Sequence, residues 1–164
     1  MEIREILRPE YEEAGEVLAR AYSEFVDPDD PGWREHLELV RDVAGRVDRT
    51  VVLVAVEGGR VLGSATIELD GVIGDDDEEL PPDVASLRMV GVDPGARRRG
   101  IARALVEDVI ARSRAAGRNS LVLRTTGPMV AARHLYQSMG FRPAHDLDWV
   151  VDDRLTLLGY RLQL

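Results

Sequence analysis

The stretch Val92-Asp93-Pro94-Gly95-Ala96-Arg97-Arg98-Arg99-Gly100-Ile101-Ala102-Arg103 is the part of this chain best equipped for chemistry. It sets a glycine- and arginine-rich turn between an apolar run, Ser86 to Val92, and a helical pattern that opens at Gly100. The first turn of a helix carries backbone N–H groups without internal acceptors and the positive end of the helix dipole, so it receives phosphate oxygens. Gly100 and Ala102 leave the backbone approachable. Arg97, Arg98 and Arg99 add guanidinium groups that can fork onto phosphate. The pattern is neither GxxxxGK[ST] nor GxGxxG, which sets aside a P-loop and a dinucleotide fingerprint.

Other reactive side chains are few. The chain has no cysteine and no lysine. This excludes a disulfide framework, a Cys-ligated zinc, a thiol nucleophile and a Schiff-base lysine. No metal site is expected. Tyr136 sits on a helical pattern and carries a phenol that is neutral at pH 7 and able to give up its proton. Glu68 lies on an apolar strand pattern, where it is either a base acting through water or a solvent-facing carboxylate. His134 falls on a different side of its helix from Tyr136, and neither His36 nor His145 has a motif around it.

The elements that must position these groups follow from periodicity. Ile3 to Leu7 alternates with charge as a strand, and Tyr11 to Phe25 and Trp33 to Val43 read as helices around the breaker Asp27 to Gly32. Thr50 to Val56 and Val61 to Leu69 form a hairpin at Gly58-Gly59. Asp70 to Asp83 is acidic and loop-like. Ser86 to Val92 is a strand, and Gly100 to Ala116 is a helix with Ile101, Leu105 and Val109 on one stripe and Gly117 at its C-terminal cap. Ser120 to Thr125 is a strand, and a helix starting at Pro128 stops at Gly140. Two strands, Phe141 to Val151 and Leu155 to Leu164, meet at Asp152-Asp153. Strand, helix, strand from Ser86 to Thr125 implies a parallel crossover, and the hairpins imply antiparallel neighbours. The expectation is a mixed α/β sheet in one domain over residues 1–164, in the order β-α-α-β-β-β-α-β-α-β-β.

The chain resembles the GCN5-related N-acetyltransferase (GNAT) family at two segments. Arg97-Arg98-Arg99-Gly100-Ile101-Ala102 fits the signature [QR]-x-x-G-x-[GA], preceded by V-x-P at Val92 to Pro94. Ala131 to Phe141 is similar to A-x-x-L-Y-x-x-x-G-F, with Ala132, Leu135, Tyr136, Gly140 and Phe141 in register. The resemblance implies an acyl-CoA N-acyltransferase fold and acetyl-CoA as donor substrate. It implies that the N–H groups of Arg98 to Ala102 and Arg103 hold the CoA pyrophosphate. It further implies that the backbone of Met89, Val90, Gly91 and Val92 pairs with the pantetheine arm, and that Tyr136 is the general acid for the leaving thiolate. A non-catalytic CoA-binding module and an acyltransferase with a longer donor share these motifs. Two positions depart from the family: Met129 stands where many relatives have Asn, and Ser86 where many have Glu, so no base carries over by alignment.

The acceptor implied by the family is an amine, on a small molecule or a peptide. At pH 7 a lysine-like amine is neutral in only about one molecule in 2,500, a cost of about 4.6 kcal/mol, against about 1 kcal/mol for an α-amino group. An enzyme without a strong base is therefore better matched to the latter. Asp75 to Glu79 either lines an acceptor entrance or is a solvated charge run. Tyr22, Phe25 and Trp33 fall where the family's first two helices wall the acceptor pocket. A net charge of −9 opposes nucleic-acid binding. No apolar run is long enough for a membrane span and none resembles a signal peptide, so a cytoplasmic location is expected. The terminal strand Leu155 to Leu164 is apolar on both faces, so it is either central or covered by a partner, for instance in a homodimer.

Overall fold

A computed structural model describes all 164 residues. In chain order the elements are β1 (Glu2–Glu5), α1 (Tyr11–Ser23), α2 (Pro31–Arg41), β2 (Val51–Glu57), β3 (Arg60–Glu68), β4 (Val72–Ile73) and β5 (Glu78–Glu79). They continue with β6 (Val84–Val92), α3 (Ile101–Ala115), β7 (Ser120–Thr126), α4 (Val130–Ser138), β8 (Arg142–Pro143), β9 (Trp149–Asp152) and β10 (Leu155–Gln163). The fold is mixed α/β and its pairing mostly antiparallel, as expected. The chain gathers into two compact units, Met1–Ile67 with Met89–Val109, and Glu68–Arg88 with Ile110–Leu164.

In the first unit β2 lies between β1 and β3, with Ile3 opposite Ala55 and Leu53 opposite Ala65. Val52, Leu53, Val54 and Ala55 are all at most 3 % exposed, so the strand is covered on both faces and its sequence is continuously apolar. Ala14 and Val17 of α1 pack with Val43, Val52, Val54 and Val61. Leu7, expected on the first strand, lies beyond β1 and is exposed. The second helix starts two residues earlier than its apolar pattern, because Asp30 caps it: its Oδ1 accepts from Gly32 N–H at 2.9 Å, and Pro31 takes the first turn. Beyond its C-terminus, the buried Arg46 donates to the carbonyls of Leu39, Val40 and Asp42 at 3.0, 3.2 and 3.0 Å.

In the second unit β6 runs parallel to β7 over Val84↔Ser120, Ala85↔Leu121 and Ser86↔Val122, which bears out the crossover. Gly117 and Arg118 donate to Arg114 O and Ser113 O at 2.9 and 3.1 Å, the capping pattern expected at the end of α3. β10 pairs with β7 on one side and with β8 and β9 on the other. Its apolar residues are thereby explained by a central position.

Three expectations need correction. Asp70 to Asp83 is not all loop: β4 and β5 form a two-residue hairpin, Val72↔Glu79 and Ile73↔Glu78. The strand expected from Phe141 to Val151 is broken into β8, a 3-10 turn at His145–Leu147, and β9. The turn buries Leu147 beside Ile73, Val122 and Ala144, and that packing outweighs continued pairing. Pro128 does not enter α4, whose N-cap is Met129.

Candidate functional site

The glycine-arginine turn lies in the first unit, and its conformation follows from three devices. Asp93 folds back to accept Gly95 N–H at 2.8 Å, while its own N–H reaches Leu62 O at 2.8 Å and ties the end of β6 to β3. Arg98 and Gly100 both take positive φ, 61° and 76°, which turns the chain into α3. Gly100 accepts the first backward helical bond, from Ala104 N–H at 3.0 Å, so the N–H groups of Ile101, Ala102 and Arg103 precede the helical ladder. A Cβ on Gly100 would meet nothing within 4 Å. Space is open on that side of Gly100, and the amides and small residues of the turn are of a kind that suits a phosphate ligand.

The three arginines do not act alike. Arg97 pairs with Glu24, just past α1, and Arg99 pairs with both carboxylate oxygens of Glu57 at 2.7 and 2.9 Å. Arg20 adds a bond of 2.7 Å to Asp93. The guanidinium of Arg20, then the N–H of Gly95, holds the Asp93 carboxyl below its ordinary range. Two of the expected phosphate cations thus also fasten the turn to its neighbours, which periodicity does not reveal.

β6 bends at Met89, a non-glycine residue with φ of 52° inside a strand. Such a conformation costs about 1–2 kcal/mol and marks positions where backbone groups are re-aimed. Met89, Val90 and Val92 are partly exposed, while Gly91 is buried. A Cβ on Gly91 would stand 2.9 Å from Leu18 Cδ2 and 3.0 Å from Ala21 Cβ, so α1 packs directly on this part of the strand.

Tyr136 and Glu68 lie in the second unit. Tyr136 is 6 % exposed, and its ring meets Phe141 edge-on at 5.6 Å. Phe141 N–H closes α4 on Tyr136 O at 3.0 Å. The N-terminal end of α4 is held by Arg133, which donates to Gly127 O and Tyr160 Oη. Met129 Sδ accepts from Thr125 Oγ1 at 3.5 Å, so the thioether fills the place of the family's amide with a weaker acceptor. Ser86 is fully buried and donates to Val72 O at 2.6 Å, tying β6 to the small hairpin.

Glu68 is not a solvent-facing carboxylate. It is 2 % exposed, and its Oε1 accepts from Arg88 Nη1 at 2.7 Å. Arg88 also contacts Asp75 at 3.2 Å and Asp77 at 3.8 Å, and Arg124 pairs with Glu78 at 2.9 Å. Three carboxylates of the acidic run are therefore engaged by sheet arginines. His134 is exposed as expected, and His145 pairs with Asp148. His36, to which the sequence assigns nothing, makes edge-on contacts with Tyr22 and Trp33, with ring centroids 6.0 and 5.8 Å away. No group of three or more His, Cys, Asp or Glu side chains is arranged to hold a metal. No helix is long and apolar enough to cross a membrane.

A sequence model of the acetyltransferase (GNAT) family matches residues 1–141. A mycothiol acetyltransferase from Nocardia farcinica is 30 % identical over 121 residues, 72 % of this chain and 38 % of that protein. One from Geodermatophilus obscurus is 29 % identical over 132 residues, 80 % of this chain and 41 % of that protein. The chain spans about two fifths of the length of these curated relatives. Among solved structures, a GNAT-family acetyltransferase from Staphylococcus aureus superposes with a TM-score of 0.75 at 20 % identity, over 99 % of this chain and 98 % of that one. A putative acetyltransferase from Salmonella typhimurium, solved with acetyl-CoA, gives 0.70 at 22 % identity, over 100 % and 94 %. These likenesses show the fold.

Proposed function

This chain belongs to the GNAT family of acetyltransferases, and from that premise we propose that it transfers an acetyl group from acetyl-CoA to the amine of a small molecule or peptide. The observation that carries the reading is the turn at Arg98–Gly100, with amides ahead of the helical ladder at the start of α3 and open space where a Cβ on Gly100 would stand. In this reading the N–H groups from Arg98 to Arg103 hold the pyrophosphate. Arg98, which presents no ion pair to a carboxylate, adds the exposed cation. The backbone of Met89 to Val92 takes the pantetheine arm. The donor supplies an acetyl thioester, which a neutral amine can attack directly.

The remaining work is moving two protons. Tyr136 is assigned the proton that goes to the departing sulfur, because a phenol is protonated at neutral pH and this one is held by packing on Phe141. Glu68 is assigned the proton leaving the amine, relayed by water, with Arg88 fixing the orientation of its carboxylate. A homodimer remains a proposal for this chain, while β10, the strand that suggested it, is paired on both sides within the fold. A single sedimenting species at monomer mass rejects that assembly.

Calorimetric titration with acetyl-CoA tests the donor, and no uptake at millimolar ligand sinks the reading. Thiol release over a panel of amines then tests the chemistry. Binding without turnover on any acceptor leaves a CoA-binding module instead. A panel of longer acyl-CoA donors fixes the acyl preference.

A further inference from the structure

Two arginines of the turn proposed to hold the phosphates already have anionic partners. Arg97 is paired with Glu24, just past α1, and Arg99 is held by both carboxylate oxygens of Glu57, the last residue of β2, at 2.7 and 2.9 Å. The four side chains are between 41 and 46 % exposed, and surface pairs of this kind add little to stability. Asp93 differs in kind: it is 21 % exposed and accepts from Gly95 N–H as well as from Arg20, so it builds the turn itself. The carboxylate of Glu24 is engaged by a side chain, and that of Glu57 by a side chain with the Met1 amine at 3.8 Å. An incoming anion therefore meets Arg97 and Arg99 already neutralised.

A guanidinium held by a carboxylate presents almost no net charge to a third group, and the carboxylate itself repels phosphate at short range. To take a phosphate oxygen, the guanidinium must leave its carboxylate or be shared with it. The charge effect acts through space from residues of the turn and needs no side chain facing the ligand. We propose that Glu24 and Glu57 form a brake on donor binding: each neutralises one arginine of the turn and so weakens its hold on the phosphates of CoA. The proposal rests on the reading of this turn as the phosphate site and deepens it by naming what sets the affinity there. Because the brake acts on the phosphates, acetyl-CoA and CoA feel it alike, and the spent product leaves more readily than unpaired arginines would allow. If the two pairs only shaped the turn, losing them would loosen it and weaken binding, which is the opposite sign.

The test titrates acetyl-CoA and CoA by calorimetry into wild-type protein, Glu24→Gln, Glu57→Gln and Glu16→Gln, in about 0.15 M and about 1 M NaCl. Glu16 pairs with Arg41 at 3.1 Å and stands about 12 Å back along α1 from Glu24, so its variant makes the same change in net charge away from the turn. Glu24→Gln and Glu57→Gln are each expected to bind both ligands about threefold tighter at the lower salt. The gain is expected to shrink towards one at about 1 M, where charges are screened within about 3 Å. Glu16→Gln is expected to stay close to wild type. Unchanged or weaker binding in a variant overturns the role of that carboxylate. An equal gain in Glu16→Gln overturns the proposal by tracing the effect to net charge, and a gain for acetyl-CoA without one for CoA overturns it by moving the effect to the thioester. Wild-type uptake of acetyl-CoA with no gain in either variant refutes the brake alone, whereas absence of uptake in wild type refutes the acetyltransferase reading with it.

Discussion

Glu68 Oε1 and Arg88 Nη1 stand 2.7 Å apart, in a pair whose side chains are 3 % and 12 % exposed. The same guanidinium reaches Asp75 and Asp77, so one arginine of β6 secures both a carboxylate of β3 and the acidic hairpin β4–β5. The two partners are not equivalent. Arg88 retains Asp75 and Asp77 if Glu68 is neutralised, whereas removing Arg88 leaves Glu68 buried without this donor. Glu68→Gln is therefore expected to cost about 1–3 kcal/mol, and Arg88→Met about 3–5 kcal/mol. Urea denaturation of the two variants checks the order, and equal losses would show that the hairpin contacts carry nothing.

Tyr136→Phe removes one oxygen and keeps the ring on Phe141. Thermal stability and acetyl-CoA affinity are expected to stay close to wild type. Turnover is expected to fall by about one to four decades, the range for losing a positioned proton donor. Single-turnover thiol release measures it. An unchanged rate removes Tyr136 from the chemistry and leaves it as a packing residue.

The Tyr136 segment was legible because Ala132, Leu135, Tyr136, Gly140 and Phe141 keep both helical spacing and a family register. The turn at Arg97 to Ala102 was legible as a strand end and helix start for a similar reason: Pro94, Gly95 and Gly100 are breakers. The bend at Met89 was not, since nothing in SLRMVGV marks a left-handed residue, and α1 packing on Gly91 sets it apart only in three dimensions. The hairpin β4–β5 was hidden because its sequence is acidic. What holds it are Arg88, Arg124 and the Ser86 hydroxyl, all remote in sequence. The interruption after Pro143 was hidden too, because burial of Leu147 decides it.

Acid should destabilise the protein through carboxyls that ion pairs hold low. Arg4 lowers Glu10 from its ordinary 4.5, with help from Leu7 N–H, and Arg20 lowers Asp93 from 3.8. A folded-state value below the unfolded one gives stability that is fully present above the unfolded value and lost as pH falls through the folded one. The denaturation midpoint is expected to be flat from pH 7 to about 5 and to fall below about pH 4. Asp93→Asn should be less stable than wild type at pH 7, with the gap narrowing towards pH 3. A constant gap across that range would contradict the assignment.

Arg46 is 5 % exposed and donates to three carbonyls in and just beyond the last turn of α2, with Nε reaching Thr66 Oγ1 at 3.3 Å. Arg46→Met fills similar space and abandons those carbonyls. The expected loss is about 2–4 kcal/mol in urea denaturation. Because none of these contacts touches the turn at Arg97 to Ala102, acetyl-CoA affinity is expected to stay within about threefold of wild type, read by calorimetry.

Gly100→Ala separates backbone strain from ligand access at the turn proposed to hold the phosphates. With φ of 76°, an added Cβ places an L-residue in the left-handed region, at a cost of about 1–2 kcal/mol. No protein atom lies within 4 Å of that Cβ, so the fold itself offers no clash and the variant should remain folded. If the phosphates sit on the amides around Gly100, as proposed, the added methyl group narrows their approach. The expected result is a modest loss of thermal stability with acetyl-CoA affinity weaker by at least about tenfold, a penalty of about 1.4 kcal/mol or more in binding. Calorimetry reads the affinity and scanning of the unliganded protein reads the stability. Loss of stability with unchanged affinity would place the phosphates away from Gly100.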